Sequence, residues 1–219
     1  YLPCIEYIEN ENTGYGHAHN IALHKAVELG STYHVILNPD IEFSANALKD
    51  LASYMEVNTD AGWVMPKVLY PNGEIQYLCK KLPTPFNLFL RRFLPAWNWV
   101  KKMDEDFELR YTGYDKEMNV PFLSGCFMFL RVETIAKHNL YFDERFFMYC
   151  EDLDLSRRFN QISKNMYYPA VSIIHNHEKG SYKSKKLMMC HIKSTCKYFC
   201  KWGWVFDAER RRINKQMMR

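Results

Sequence analysis

The hydrophobic positions of this chain alternate between runs typical of strands and spacings typical of helices. Apolar residues recur every three or four positions over residues 18–29, which predicts a helix that Gly30 ends. Short apolar runs predict strands at 4–8 and 33–37, and a second helix is expected over 44–57. This alternation of strands and helices predicts an α/β fold with a mostly parallel sheet.

The rest of the chain continues the same mixture of elements. Strands are expected at 62–70, 74–78, 121–131 and 166–174, and helices at 153–161 and from 184 onward. A turn at Pro71-Asn72-Gly73 predicts a hairpin between the first two of these strands. Residues 83–118 show no clear period, and we interpret them as a helical insertion or a mobile loop over a cleft. We divide the chain into a main domain, 1–183, and a basic, aromatic helical extension, 184–219.

Composition narrows the functional classes without naming one. The 219 residues are 47% hydrophobic and 25% charged, which excludes wholesale disorder. A net charge of +4 is too small to argue for nucleic acid as a partner. Seven cysteines, an odd number without a CxxC pair, argue against a secreted disulfide scaffold and favour a reducing compartment. No apolar run approaches the roughly 20 residues of a membrane span, so we expect a cytoplasmic protein.

The tripeptide Asn38-Pro39-Asp40 directly follows the strand predicted at 33–37. Because proline cannot continue a central strand, Asp40 is expected just past the carboxyl end of the strand. Open α/β sheets bind their ligands at that edge, and a carboxylate there suits a divalent cation shared with phosphate oxygens. Aspartate is also a common turn residue between a strand and a helix, so the tripeptide alone leaves both interpretations open.

A run of aromatic residues from Phe142 leads into the acidic residues Glu151, Asp152 and Asp154. Carboxylates beside apolar surface have raised pKa values, which makes them stronger bases. Asp152 is also expected near a helix N-terminus, where a negative charge is favoured. Helix capping by Asp152 and Asp154 is the alternative interpretation, although it does not account for the aromatic run.

A third group of polar residues follows the last predicted strand. His175 stands at the end of that strand, where a histidine is either a metal ligand or a structural residue. The nearby Gly180-Ser181 turn and Lys183 are residue types that hold phosphate. Both interpretations of the histidine remain open at this point.

Taken together, these motifs resemble the family 2 glycosyltransferases in order and spacing, in particular their rhamnosyltransferase-like bacterial branch. The residues that carry the resemblance are Asn12-Thr13-Gly14-Tyr15-Gly16 with Asn20, Leu37-Asn38-Pro39-Asp40, Ser124-Gly125-Cys126, Glu151-Asp152-Leu153-Asp154-Leu155, and His175 with Gly180-Ser181. The resemblance extends from residue 9 to about residue 198. It implies a GT-A fold, with a central sheet flanked by helices, and an inverting transfer of a sugar from a nucleotide-activated donor.

The resemblance also implies a role for each motif. Asp152, next to Glu151, would be the general base that takes the proton of the acceptor hydroxyl. Asp40 and His175 would ligate a Mn²⁺ or Mg²⁺ ion that grips the donor diphosphate. The residues expected along the donor are Asn12, Gly14, Tyr15, Gly16, Asn20, Asn38, Ser181 and Lys183. The residues expected to line the cleft between donor and acceptor are Ser124 and Gly125.

The function expected from this resemblance is sugar transfer, with rhamnose from a dTDP donor as the first candidate. The acceptor would be a growing bacterial surface polysaccharide or a lipid-linked saccharide. The family opens with a strand–helix–strand unit that the residues before Tyr1 would have to supply, so the chain looks N-terminally incomplete, without its first βαβ unit. That departure supports a non-catalytic carbohydrate-binding or scaffold protein as the alternative. Nucleic-acid binding ranks below both, because the basic charge lies mainly in one terminal helix.

Basic and aromatic residues accompany each other throughout the extension at 184–219. This combination suits the anionic surface of a membrane, so a peripheral contact with the inner face of the cell membrane is one expectation. A periodic aromatic stripe also suits a helix that packs on the main domain and leaves a solvated basic tail. The sequence leaves the two alternatives equal.

Overall fold

The computed structural model describes residues 5–89, 97–176 and 184–217, in which a central sheet lies among helices. The helices are α1 (Tyr15–Glu28), α2 (Ala47–Val57), α3 (Pro85–Leu88), α4 (Asn98–Phe107), α5 (Val132–His138), α6 (Glu151–Ile162), α7 (Lys185–Trp202) and α8 (Ala208–Gln216), with a short 3₁₀ helix at Arg110–Thr112. The strands are β1 (Tyr33–Leu37), β2 (Ile41–Phe43), β3 (Ala61–Leu69), β4 (Cys79–Lys80), β5 (Met118–Asn119), β6 (Phe122–Leu123), β7 (Phe127–Arg131) and β8 (Lys164–His175).

The main sheet has the strand order β1-β7-β3-β8-β2, with β5 beside β8, while β4 and β6 form a separate pair. Strands β3 and β8 pair in parallel, and the other pairs of the main sheet are antiparallel. The α/β class with flanking helices is confirmed, but the prediction of a mostly parallel sheet is wrong. Three strands account for the difference, because β7 lies between β1 and β3 and runs against both, while β2 and β5 each run against β8. Strands β1, β3 and β8 still share one direction, so their carboxyl ends meet at one edge.

The strand β3 forms the centre of the core, because its residues are buried almost throughout. The indole of Trp63 lies edge-on to Phe159 of α6, with ring centroids 5.9 Å apart. Next to it, the guanidinium of Arg131 donates hydrogen bonds to the carbonyls of Met55 and Asn58, where α2 ends. These contacts hold α6 against β3 and the end of α2 against the end of β7.

The last two helices pack on the rest of the chain through a second apolar cluster. Its buried members are Leu82, Phe122, Phe146, Cys150, Leu153, Tyr198, Phe199 and Ile213. Arg157 of α6, only 1% exposed, donates two hydrogen bonds of 2.8 Å to Asp207 and a third, of 2.7 Å, to Glu209. The helical prediction from Ser184 onward is confirmed, and part of the aromatic stripe of α7 lies in this cluster. Among the described residues, no helix combines the length and the apolar character needed to cross a membrane.

Several predicted elements differ from the observed ones in extent. Residues 5–8 form no strand, and Cys4 lies outside the described residues. The turn at 71–73 forms, but its return arm makes only a single bridge to β3, at Ile75. Helix α2 begins at Ala47, and Asn46 rather than the expected Ser44 occupies its N-cap position.

The predicted insertion at 83–118 is helical in α3, α4 and the 3₁₀ helix, and the residues between α3 and α4 from 90 to 96 lie outside the described part of the chain. Helix α6 begins at Glu151, two residues earlier than predicted. Tyr149 and Cys150 precede it in a left-handed turn, with φ angles of 69° and 64°. Glycine is the usual residue in this conformation, and neither position is a glycine, so the sequence did not indicate the turn. The earlier start places Glu151 and Asp152 in the first turn of the helix.

Candidate active site

Three motifs that are distant in sequence meet at the edge where β1 and β8 end. The N–H of Asn38 donates to the carbonyl of Cys126 at 2.9 Å, which ties the end of β1 to the segment before β7. Strand β2 then pairs with the end of β8, so that Ile41 lies opposite His175. The N–H of Asn176 donates to the carbonyl of Asp40 at 3.0 Å. The topology therefore brings Asp40 next to His175.

Asp40 and His175 form a pair whose orientation depends on Gln76. Oδ1 of Asp40 lies 3.4 Å from Nε2 of His175. Gln76 donates from Nε2 to the carbonyl of His175 at 2.7 Å, and its Oε1 lies 3.0 Å from Nδ1 of the ring. Because an amide oxygen only accepts, Nδ1 carries the proton, and Nε2 of the neutral ring directs its lone pair toward Asp40. Burial lowers the pKa of His175, although Asp40 opposes that shift, which favours this neutral form.

The two facing atoms of this pair fit a divalent cation. An imidazole lone pair and a carboxylate oxygen both carry negative potential, and a cation between them would relieve their repulsion. This mixed nitrogen and oxygen donor set suits Mn²⁺, and carboxylate and phosphate oxygens also suit Mg²⁺. Within the described ranges, no group of three or more His, Cys, Asp or Glu side chains is placed to hold a metal. A cation here would therefore need further ligands from a bound molecule or from water.

Asp152 is held at the start of α6 by two backbone N–H groups. Its Oδ2 accepts from the N–H of Gly125 at 2.9 Å, and its Oδ1 accepts from the N–H of Leu153 at 2.8 Å. Burial raises the pKa of Asp152, while these hydrogen bonds and the charge of Lys80 oppose the shift. The side chain is only half-buried by its accessible surface. A fixed, partly accessible carboxylate of raised pKa is suited to take a proton from a hydroxyl group.

Glu151 is more deeply buried than its neighbour Asp152, and one of its carboxylate oxygens has no hydrogen-bond donor in the described part of the chain. Its side chain is 7% exposed in the fold, and Oε2 makes no hydrogen bond to any described residue. Burial and the charge of Asp152 raise the pKa of Glu151. The two adjacent carboxyl groups therefore hold one negative charge more readily than two.

Gly125 allows the chain to pass close to Asp152. A Cβ atom at position 125 would lie 2.9 Å from Cβ of Asp152 and 2.8 Å from Cε of Met128. The hydroxyl of Tyr15 donates to the carbonyl of Gly125 at 3.1 Å. Burial, followed by the charges of Asp152 and Glu151, raises the pKa of Tyr15, so that its hydroxyl stays protonated. Two predicted site residues, Tyr15 and Gly125, thus lie beside the acidic pair.

The start of α1 packs against the loop that precedes α6. A Cβ at Gly14, where φ is +124°, would lie 2.7 Å from the carbonyl oxygen of Phe147. A Cβ at Gly16 would lie 2.8 Å from Cβ of Phe142. Asn20 donates to the carbonyl of Phe142 at 3.0 Å and accepts from its N–H at 2.8 Å. These contacts explain the residue types at the start of α1 by packing, and their proposed contact with a nucleotide stays a prediction.

The remaining predicted residues lie in different surroundings. Asn12 is exposed in the segment that precedes α1. Ser124 hydrogen-bonds the thiol of Cys126. Ser181 and Lys183 lie outside the described residues.

Cys126 lies between the two halves of the site. Burial raises the pKa of its thiol, the hydrogen bond with Ser124 opposes the shift, and the charges of Asp152 and Asp40 raise it further. The N–H of Asn38 donates to the carbonyl of Cys126, and the N–H of the neighbouring Gly125 donates to Asp152, so the segment 125–126 connects the Asp40–His175 pair with the Glu151–Asp152 pair.

Two residues of this site were not identified from the sequence. Gln76 orients His175, and its only sequence signal is a place in the predicted return strand at 74–78. Lys80 of β4 lowers the pKa of Asp152, and nothing in the sequence distinguishes it from the other 28 lysine and arginine residues. Both roles depend on contacts between segments that only the folded chain brings together.

The chain is similar in sequence to two named rhamnosyltransferases. It is 28% identical over 208 residues to "Rhamnosyltransferase WbbL" of Escherichia coli, covering 90% of this chain and 74% of that protein. It is 27% identical over 217 residues to "N-acetylglucosaminyl-diphospho-decaprenol L-rhamnosyltransferase" of Mycobacterium tuberculosis. That match covers 91% of this chain and 65% of the mycobacterial protein, so the chain spans just under two thirds of it. No family model matches the chain.

The fold is similar to that of a solved glycosyltransferase structure. Staphylococcus aureus TarS, residues 1–349 in complex with UDP, superposes with a TM-score of 0.51 at 14% sequence identity. The superposition covers 96% of this chain and 52% of that one, about half of its length. The likeness shows that the mixed α/β fold described above is GT-A-like. Sequence and fold together support a glycosyltransferase.

Proposed function

We propose that this protein is a metal-dependent, inverting glycosyltransferase with Asp152 as its general base. The observation that carries the proposal is the placement of Asp152 against Gly125, in one site with the Asp40–His175 pair, at the carboxyl edge of a GT-A-like sheet. The names of the sequence relatives support rhamnose as the sugar, with dTDP-rhamnose as the first candidate donor. The mycobacterial relative's name supports a lipid-linked saccharide as the acceptor, on the way to a surface polysaccharide.

In the proposed reaction, Asp152 removes the proton of the acceptor hydroxyl as that oxygen attacks the anomeric carbon of the donor sugar. The new carbon–oxygen bond forms as the bond to the nucleoside diphosphate breaks, and attack on the opposite face inverts the anomeric centre. One ionised carboxylate suffices for such a displacement, because no covalent enzyme intermediate has to form. The N–H groups of Gly125 and Leu153 would keep that carboxylate in place while its proton is gained and lost.

Asp40 and His175 are the residues that would hold the Mn²⁺ or Mg²⁺ ion. Such an ion would stabilise the negative charge that develops on the departing diphosphate. Gln76 contributes by fixing the ring of His175 with Nε2 toward Asp40. Since two protein ligands leave most of the coordination sphere to other donors, we expect the metal alone to bind weakly and the metal with a nucleoside diphosphate to bind much more tightly.

Calorimetric titration with dTDP, UDP and GDP, each with Mn²⁺ and with a chelator, tests the donor site. We expect one nucleotide to bind at least tenfold more tightly with Mn²⁺, and His175→Ala to abolish that difference. His138→Ala, an exposed histidine at the end of α5, is the matched control and should behave like the parent. Binding that is equal in chelator would overturn the metal role. No binding of any nucleotide would favour the non-catalytic alternative instead.

Incubation with dTDP-rhamnose and a prenyl-diphosphate-linked saccharide tests the transfer itself. We expect a single glycosylated product whose new linkage, assigned by NMR, has the anomeric configuration opposite to that of the donor. A product with retained configuration would contradict the one-step displacement. Nucleotide binding without transfer from any activated sugar would contradict the assignment as an enzyme.

A further inference from the structure

Exposed aromatic side chains gather on one face of the protein, around α3. Phe206 is 90% exposed, Trp97 is 55% exposed and Trp204 is 41% exposed. We call this surface the aromatic face, and its members are Phe86, Phe89, Trp97, Trp99, Met103, Trp204, Val205 and Phe206. Large exposed apolar patches on a folded protein mark contact sites for proteins or membranes.

Ring contacts make this face continuous. On one side of α3, the ring of Phe86 lies 5.3 Å from that of Trp99, which in turn lies 5.8 Å from Trp97. On the other side, Phe89 stacks on Trp204 with ring centroids 6.1 Å apart and planes within 7° of parallel. Helix α3 therefore joins the two exposed groups into one surface.

Basic residues lie beside the aromatic face, since Lys102 lines the same groove as Trp99 and Arg211 donates a hydrogen bond to the carbonyl of Val205. The exposed basic residues of α4 and α8 are Lys101, Lys102, Arg211, Arg212 and Lys215. The acidic residues of α4 lie in its second half, and Asp106 among them pairs with the buried ammonium of Lys81 at 2.6 Å. Tryptophan and phenylalanine beside lysine and arginine are the residue types that contact anionic lipid headgroups.

A mainly apolar groove of about 540 Å³ opens beside the same face. Trp99 and Met103 of the face line it, together with Leu82 and Phe107. The segment that follows β4 forms part of the groove wall through Lys81 and Leu82.

We propose that the aromatic face seats the protein on an anionic phospholipid bilayer, with its indole and phenyl rings at the level of the headgroups. The groove then lies at the membrane surface, where it takes a lipid hydrocarbon chain. The inference rests on the proposed function in one respect, since a lipid-linked acceptor is the substrate that such a seat would bring to the protein. Binding to the bilayer does not depend on sugar transfer, so membrane binding and glycosyl transfer can be disproved independently of each other.

Sedimentation with phosphatidylcholine vesicles, with and without phosphatidylglycerol, tests this surface. The parent should bind the anionic vesicles, and Trp97→Ser combined with Phe206→Ser should weaken binding about tenfold or more, because two ring contacts with the interface are lost. Leu29→Ser combined with Val57→Ser is the matched control, since these side chains are 71% and 82% exposed just after α1 and at the end of α2. The control should bind like the parent.

Three results would overturn the proposal. The first is that the parent protein does not bind anionic vesicles. The second is that the aromatic double variant and the control double variant lose binding equally. The third is an aromatic double variant that binds like the parent while Arg211→Gln with Arg212→Gln abolishes binding, since charge alone would then explain the contact. Transfer to a water-soluble acceptor should proceed at the same rate in the parent and in both double variants. If neither the parent nor any variant transfers sugar to this acceptor, the result counts against the proposed function and not against membrane binding.

Discussion

Asp152 combines two roles at the scale of a single residue, because the backbone hydrogen bonds that fix its carboxylate also connect α6 to the segment before β7. Asp152→Asn should lower the rate of transfer by about 10²–10⁴-fold, the usual contribution of a general base. Nucleotide binding should stay nearly unchanged, because no part of the Asp40–His175 pair is altered. Initial rates and calorimetry check the two expectations.

The amide that replaces the carboxylate in Asp152→Asn offers one acceptor oxygen to two backbone donors, so a stability loss of about 1–3 kcal/mol accompanies the change. Thermal unfolding separates this loss from the loss of activity. Asp50→Asn, at an exposed position of α2, is the matched control and should change neither quantity. Normal turnover by Asp152→Asn would show that another group is the base.

The pH dependence of transfer provides a second prediction at this scale. A general base works when ionised, so the rate should fall as the pH drops through the pKa of Asp152. Because burial raises that pKa, the acid limb of kcat/KM should lie above the value of about 4 typical of an exposed aspartate. Lys80→Met removes a charge that lowers the pKa of Asp152, so the limb should move to higher pH. An unshifted limb, as expected for the exposed control Lys49→Met, would contradict the role of Lys80.

The connection between α6 and the C-terminal helices is the feature to test at the scale of elements. Asp207→Asn removes the more buried of the two carboxylates that pair with the guanidinium of Arg157 and leaves only the partly exposed Glu209, which should destabilise the fold by about 1–3 kcal/mol. Asp60→Asn is the contrast, because its ion pair with Lys164 is exposed and should contribute about 1 kcal/mol or less. Denaturant unfolding of the two variants measures the difference. Equal small losses would show that the Arg157 cluster does not anchor α8.

The same pair has a pH signature. Burial raises the pKa of Asp207, but hydrogen bonds from Arg157 and from the N–H of Arg210 outweigh it, so the net shift is downward. A carboxylate with a depressed native pKa stabilises the fold above its unfolded value of about 4. That stabilisation should be lost as the pH falls through the lower native pKa. Asp207→Asn should therefore lose less stability than the parent over the same acid range.

Elements with a strong hydrophobic period were predictable from the sequence, and their arrangement was not. The period of β1, β3 and β8 identifies them as strands, but it carries no information on pairing direction, so the antiparallel entry of β7 was missed. The start of α6 was misplaced because the left-handed residues Tyr149 and Cys150 have no compositional signature. In the site, Asp40 and His175 were paired through a family resemblance, whereas the only sequence signal of Gln76 was its place in the predicted return strand.

At the scale of the whole molecule, the described cysteines form two sets, one buried in the two apolar clusters and one at the surface of α7. Cys79, Cys126 and Cys150 are buried, and burial raises the pKa of each thiol, while Cys190, Cys196 and Cys200 are partly or fully exposed on α7. Thiolates are the reactive form, so the buried set should react slowly with a thiol reagent. In a Cys4→Ser background, we expect three thiols to react promptly in the native protein and three more only after unfolding. Six prompt thiols would contradict this distribution of buried surface.

The pairing of β2 with β8 also sets an order of events during synthesis. Asp40 and β2 leave the ribosome long before His175, by roughly ten to thirty seconds at ordinary elongation rates. Until β8 arrives, the edge of β2 has no strand to pair with, and neither β3 nor Asp40 has its later partner. A nascent chain that stops short of residue 175 thus contains most of the core but not the Asp40–His175 pair, and the proposed capacity to bind a donor would emerge in a single late step.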